Sequence, residues 1–159
     1  MKFPYRNILV VCSVNTARSP MVVGFLRKVF NDQKQDVKIS SGGIASNARD
    51  GMLISMDAIL AMNEVGIDLP RESLSIDLKK HPSHFENADL ILTLTEKHKS
   101  EIHKYFKHND KQVFTLKEFA GTKGDIEDPS MKGLEGFRKA RNEIYDALTK
   151  ALKKYGIIL

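Results

Sequence analysis

The sequence predicts an α/β fold: a three-layer domain with a four-stranded parallel sheet in the order 2-1-3-4, flanked by helices on both faces. Short aliphatic runs alternate with amphipathic segments along the chain, the pattern that parallel strands joined by right-handed helical crossovers produce. The first run, Ile8-Leu9-Val10-Val11, is apolar at every position, as a strand covered on both faces must be. The length of 159 residues, with 42% hydrophobic and 28% charged residues, suits one domain spanning 1–159 with a substantial core.

Each element has a local reason. Strand one closes at Cys12. A helix then begins at about residue 19, with Ser19 as its cap and Pro20 in its first turn, and Met21, Val22, Phe25, Leu26, Val29 and Phe30 recur at helical spacing. Val37 to Ser40 reads as strand two, Ser41-Gly42-Gly43 as a turn, and Met52 to Glu64 as a helix stopped by Gly66, with Met52, Met56 and Met62 packing into the core. Leu90 to Leu94 is strand three, Thr95 caps a helix over Glu96 to Phe106, and Gln112 to Leu116 is strand four. Between Lys117 and Gly133 the sequence has no period, and long ordered loops commonly carry function. The last helix, Leu134 to Lys154, lines up Phe137, Ala140, Ile144, Tyr145, Leu148 and Leu152.

Composition excludes several classes. A single cysteine forms no intramolecular disulfide and no four-thiolate metal site. The net charge of +5 comes from dispersed lysines and arginines, which reads as a solvated surface and not as a nucleic-acid footprint. His81 and His84, like His98 and His103, lack the spacing of metal ligands and read as surface histidines, so no metal or other cofactor is expected. The short apolar stretch near the N-terminus has no cleavage site behind it, and no run of 18 apolar residues occurs. The expected setting is cytoplasmic, with no membrane partner.

The chemistry concentrates where strand one meets the first helix, at Cys12-Ser13-Val14-Asn15-Thr16-Ala17-Arg18-Ser19-Pro20. In a doubly wound fold that junction binds anions, and a loop folded into a nest aims the amides of Ser13, Val14, Asn15, Thr16, Ala17 and Arg18 at one centre. Arg18 offers a planar fork matching two phosphate oxygens. Cys12 lies beneath, where helix dipole, amides and guanidinium all favour the thiolate nucleophile. Asp128, in the Asp128-Pro129 pair of the long loop, is the candidate proton donor for a leaving group.

Together, Cys12 to Pro20, Ser40-Ser41-Gly42, Ala88 to Leu92, and Asp125-Ile126-Glu127-Asp128-Pro129 resemble the low-molecular-weight protein tyrosine phosphatase family over nearly the whole chain. The resemblance implies that Cys12 attacks phosphorus to give a phosphocysteine, that Arg18 and the loop amides hold the equatorial oxygens, and that Asp128 first protonates the leaving group and then activates water. Ser19 resembles the hydroxyl that hydrogen-bonds the thiolate, and Asn15 the loop brace, with Ser40 or Ser41 as its partner. The implied substrate is a phosphorylated protein or peptide, with inhibition by phosphate-like anions. Family members usually carry Gly where Val14 stands, and a β-branched residue there excludes positive φ and crowds the loop rim. A histidine common after the second helix is replaced by Arg71 or its neighbours. Many members carry a second cysteine at the position of Ala17, so peroxide is expected to carry Cys12 up the oxidation ladder with no internal disulfide stage. Full recovery of activity with dithiothreitol after strong oxidation contradicts that.

Two features bear on the leaving group. Ser130 and Met131 follow Pro129, and no aromatic occurs from Ile44 to Arg49, so the ring-flanking residues usual among phosphotyrosine hydrolases of the family are missing. Thr16 resembles the threonine of the protein arginine phosphatase branch. The family prior puts phosphotyrosine first and phosphoarginine second, with a phosphate-binding pseudophosphatase distorted by Val14 as the third reading. Arsenate reduction on this scaffold needs further cysteines and is excluded within the chain.

Overall fold

A computed structural model describes residues 2–107 and 109–159. Four parallel strands, β1 (Asn7–Cys12), β2 (Lys38–Gly43), β3 (Leu90–Thr93) and β4 (Gln112–Thr115), pair in the order β2-β1-β3-β4, as expected. β1 lies between β2 and β3, with Val10 opposite both Ser41 and Leu92. Its apolar run is explained by two cores. Ile8, Val10 and Cys12 face one core shared with α1 (Arg18–Asp32), α2 (Met56–Asn63), α5 (Leu116–Phe119) and α6 (Gly133–Lys153). Leu9 and Val11 face the other, with Leu78, with Phe85 of α3 (Ser83–Asn87) and with Ile102 of α4 (Glu96–Tyr105). Each buried aliphatic side chain contributes roughly 1.5–3 kcal/mol, so the sheet is anchored from both sides. Among the described residues no helix is long and apolar enough to cross a membrane.

Several boundaries differ from expectation, each for a local reason. Ser41-Gly42-Gly43 is no turn but the end of β2, and a Cβ at Gly42 would sit 2.5 Å from Leu78, so the glycine serves close packing. Residues 52–55 are extended, not helical: Leu53 bridges Leu74, and the Met52 amide donates to Ser75 Oγ at 2.9 Å. α2 therefore starts at Met56. Of the three methionines expected in the core only Met62 is buried, and Met56 is exposed. β4 ends at Thr115, because Thr115 and Glu118 form a reciprocal capping box that starts α5 at Leu116. In α6 the predicted stripe is buried except for Tyr145, which reaches the surface.

Candidate active site

Residues 13–17 connect β1 to α1 and lie against the end of β2. A Cβ on Gly43 would come within 2.6 Å of the Ser13 carbonyl oxygen and 3.0 Å of Val14 Cα, so glycine is needed for this approach. The Ile44 amide donates to Cys12 O and the Ala45 amide to Ser13 O, each at 3.1 Å, holding the loop there. The left-handed residue of the loop is Asn15, with φ of 65°, a conformation Asn tolerates better than a β-branched residue. Val14 is half-buried and outside the positive-φ region. No positive φ is asked of Val14, because the left-handed position falls one residue later, at Asn15.

Cys12 is buried, and its sulfur is the focus of two contacts. The Asn15 amide donates to Sγ at 3.2 Å, and Ser19 Oγ lies 3.0 Å away. Asn15 Nδ2 donates to Ser19 Oγ at 2.8 Å and to Ser41 Oγ at 2.9 Å. With its oxygen accepting from Asn15, the Ser19 hydroxyl keeps its own proton free for the sulfur, so two donors are placed around Sγ. Ser41, not Ser40, is the partner of Asn15. Ser19 does not cap the helix: α1 starts at Arg18, with Ala17 as N-cap, no capping side chain and no acidic residue in the first turn. That leaves its amide end available to an anion. Arg71 is exposed, and the Asn15 side chain is braced from that side by the Ile76 amide, which donates to Oδ1 at 3.0 Å. Thr16 is half-buried at the rim, its carbonyl accepting from the Ser55 amide at 2.8 Å.

Arg18 is buried, and its Nη1 donates to Ile126 O at 2.9 Å while Nη2 approaches Ser13 Oγ at 3.4 Å. The Ile126 amide in turn donates to Leu94 O at 2.9 Å. The long loop carrying Asp128 is thereby tied to the end of β3 and to the guanidinium. Asp128 is exposed at the loop surface. Partial burial pushes its carboxyl up, but the Ser130 amide at 3.0 Å, the Ser130 hydroxyl, Arg18 and His98 together hold it below the ordinary aspartate value. The unliganded carboxyl is ionised at neutral pH; an incoming phosphate dianion opposes that ionisation and favours the protonated acid.

His98, expected at the surface, is only 2% exposed and belongs to the site. It occupies the first turn of α4, where its amide donates to Thr95 Oγ1, and its Nε2 lies 2.8 Å from Ser13 Oγ. The positional signal was available: Thr95-x-x-His98 puts an imidazole in the first helical turn after β3, at the carboxyl edge of the sheet where α/β folds bind ligands. Burial and then Arg18 push its pKa down to about 4. An unfolded chain with an ordinary histidine near 6.5 takes up a proton that the fold refuses. This group's contribution to stability is therefore complete above pH 6.5 and is lost as pH falls to about 4, by roughly 3 kcal/mol. Urea unfolding across that range is expected to show the loss in the wild type, and His98→Gln to remove this part of it. An unchanged slope in the variant contradicts the assignment. Among the described residues no group of three or more His, Cys, Asp and Glu is placed to hold a metal ion.

Comparison with known proteins identifies the family. The family model described as low molecular weight phosphotyrosine protein phosphatase matches residues 7–156. The chain belongs to that family. A protein-arginine-phosphatase of Geobacillus stearothermophilus is 37% identical over 95% of this chain and 96% of its own length. The low molecular weight protein-tyrosine-phosphatase PtpB of Staphylococcus epidermidis is 29% identical over 94% of this chain and 99% of its own. The crystal structure of a low molecular weight protein tyrosine phosphatase from T. tengcongensis superposes with a TM-score of 0.82 at 32% identity, covering 94% of this chain and 99% of that one. As a low molecular weight phosphatase the chain has hydrolase activity on phosphoproteins as its family chemistry. The expected phosphate loop, Cys12 to Arg18, is the connection between β1 and α1, and His98, Ile126 and Gly43 around it were not read as site residues from the sequence.

Proposed function

We propose that this chain hydrolyses phosphotyrosine in proteins or peptides through a phosphocysteine on Cys12. The observation that carries the mechanism is the environment of the sulfur, which receives the Asn15 amide and the Ser19 hydroxyl at the uncapped start of α1, with the Arg18 guanidinium buried beside the loop. A phosphoryl group held by the loop amides and Arg18 presents its phosphorus to Sγ. The sulfur lone pair forms the P–S bond as the P–O bond to the phenol breaks, and Asp128 gives that oxygen its proton. Asp128, now a carboxylate, takes a proton from water as the water attacks phosphorus. The P–S bond breaks, and the Ser19 hydroxyl stabilises the departing thiolate. Phosphate leaves last, so inorganic phosphate and vanadate inhibit by occupying the same loop, in competition with substrate.

A second reading, hydrolysis of phosphoarginine, is favoured by Thr16 at the rim and by the identity to a relative named protein-arginine-phosphatase. No aromatic flanks the position after Pro129; instead Met131 is fully exposed. A small polar rim leaves room for a guanidinium, while a phenol ring forgoes stacking worth roughly 0.5–1.5 kcal/mol. Side-by-side kcat/KM on the two phosphopeptides separates the readings. Thr16→Ile is expected to shift the ratio toward phosphotyrosine by about tenfold, the equivalent of one lost or gained contact. An unmoved ratio removes Thr16 from the argument.

A further inference from the structure

The strongest unassigned group outside the reacting set is the buried imidazole of His98. It contacts neither the sulfur nor the Asp128 carboxyl by hydrogen bond; its one side-chain partner is Ser13 Oγ, at 2.8 Å from Nε2. Its other nitrogen, Nδ1, is buried with no partner among the described residues. An imidazole placed for its own satisfaction would engage both nitrogens, so this one is held where only the Ser13 contact is made. Ser13 Oγ also lies 3.4 Å from Arg18 Nη2. A guanidinium only donates, so towards Arg18 the Ser13 oxygen can only accept, and its single proton is free for His98. The field of Arg18 selects the tautomer: a proton on Nε2 would face the guanidinium across one hydroxyl, whereas a lone pair there is attracted. In the neutral imidazole this arrangement corresponds to Nε2 accepting from Ser13, with the ring proton on Nδ1. The charged groups around it are Arg18, Lys97, Asp125 and Asp128.

We propose that His98 is a positioning residue of the phosphate site: by taking the Ser13 proton it fixes the Ser13 oxygen as an acceptor for Arg18, which sets the guanidinium in the plane that receives phosphate. The opposite edge of Arg18 is fixed by Ile126 O at 2.9 Å, so the two contacts together define its orientation before any anion arrives. A fork held from only one side turns about its remaining bond, and misplacement of a phosphate-binding group by a fraction of its own width costs affinity for ground and transition states alike. Because this role rests on the phosphatase reading of the loop, the test includes a quantity that needs no turnover.

The experiment measures the dissociation constant of inorganic phosphate by calorimetry, and kcat/KM on p-nitrophenyl phosphate, for wild type, Ser13→Ala, His98→Leu, the double variant and His98→Gln. Each of Ser13→Ala and His98→Leu is expected to lose about tenfold in both quantities, and the double variant no more than either, because the two act as one unit. His98→Gln, whose amide oxygen can stand in for Nε2, is expected to recover most of the loss. A role confined to filling space leaves phosphate affinity in His98→Leu unchanged. Losses that multiply in the double variant, or a His98→Gln no better than His98→Leu, overturn the proposal. Ser13→Ala removes one oxygen from a half-buried site, so its undiminished phosphate affinity overturns the proposal even if His98→Leu does not fold. Coupled loss of phosphate affinity in a chain without hydrolysis supports this role while refuting the phosphatase reading. Normal hydrolysis with independent losses does the reverse.

Discussion

Replacing Cys12 by Ser is expected to reduce hydrolysis of p-nitrophenyl phosphate and of phosphopeptides on the order of 10⁴-fold or more, while leaving phosphate binding nearly intact. The contrast follows from what the loop does. The Asn15 amide, the Arg18 guanidinium and the exposed end of α1 remain, so the anion is still held. The hydroxyl that replaces the thiol has the same neighbours but is far harder to ionise, so no nucleophile faces phosphorus at neutral pH. Loss of turnover together with loss of phosphate affinity would mean that the substitution had disturbed the loop. Retained turnover would place the nucleophile elsewhere.

Asp128→Ala is the second large effect, and its size depends on the leaving group. General acid assistance contributes about 10²- to 10⁴-fold, least where the leaving group is already stable as an anion. The p-nitrophenolate of an activated ester needs little help, the phenolate of tyrosine needs more, and the guanidine released from phosphoarginine needs the most. The loss in kcat/KM is expected to rise in that order, and the alkaline limb of the pH profile, where a proton donor is lost, to change with it. The Ser130 amide and hydroxyl, Arg18 and His98 hold the free carboxyl below the ordinary aspartate value, so the acid form is created by the bound phosphate and not by the resting site. An equal loss with all three substrates would assign Asp128 to loop structure, through its contact with the Ser130 amide.

What could be read in advance divides by the range of the interaction. The four strands, the two-faced burial of Ile8 to Val11 and the capping of α4 by Thr95 follow from runs and spacings within a few residues, and all are found; the expected strand order is found too, but no local spacing sets it. The juxtaposition of Cys12, Asn15, Arg18 and Ser19 was legible for the same reason, because one loop brings them together. Contacts across the sheet were not. The partnership of Ser13 with His98 spans 85 positions, and that of Arg18 with Ile126 O spans 108 and uses a carbonyl that any residue supplies. Ser41-Gly42-Gly43 reads locally as a turn; only the packing of Leu78 and of the phosphate loop against it shows why the glycines sit in a strand. Val14 raised the question of backbone strain because it stands where the family usually has Gly; the left-handed conformation falls instead on Asn15, which tolerates it.

The account turns on a covalent bond between phosphorus and the sulfur of Cys12. Its most direct measurement uses the Asp128→Ala enzyme with p-nitrophenyl phosphate, which loads the nucleophile with little need of an acid but lacks the base that would hydrolyse the product. After rapid acid quench and proteolysis, mass spectrometry is predicted to find the peptide containing Cys12 carrying one phosphoryl group, and none in Cys12→Ser. Release of p-nitrophenol by the wild type through several turnovers, with no phosphoryl group on Cys12 at any quench time in either enzyme, would contradict it.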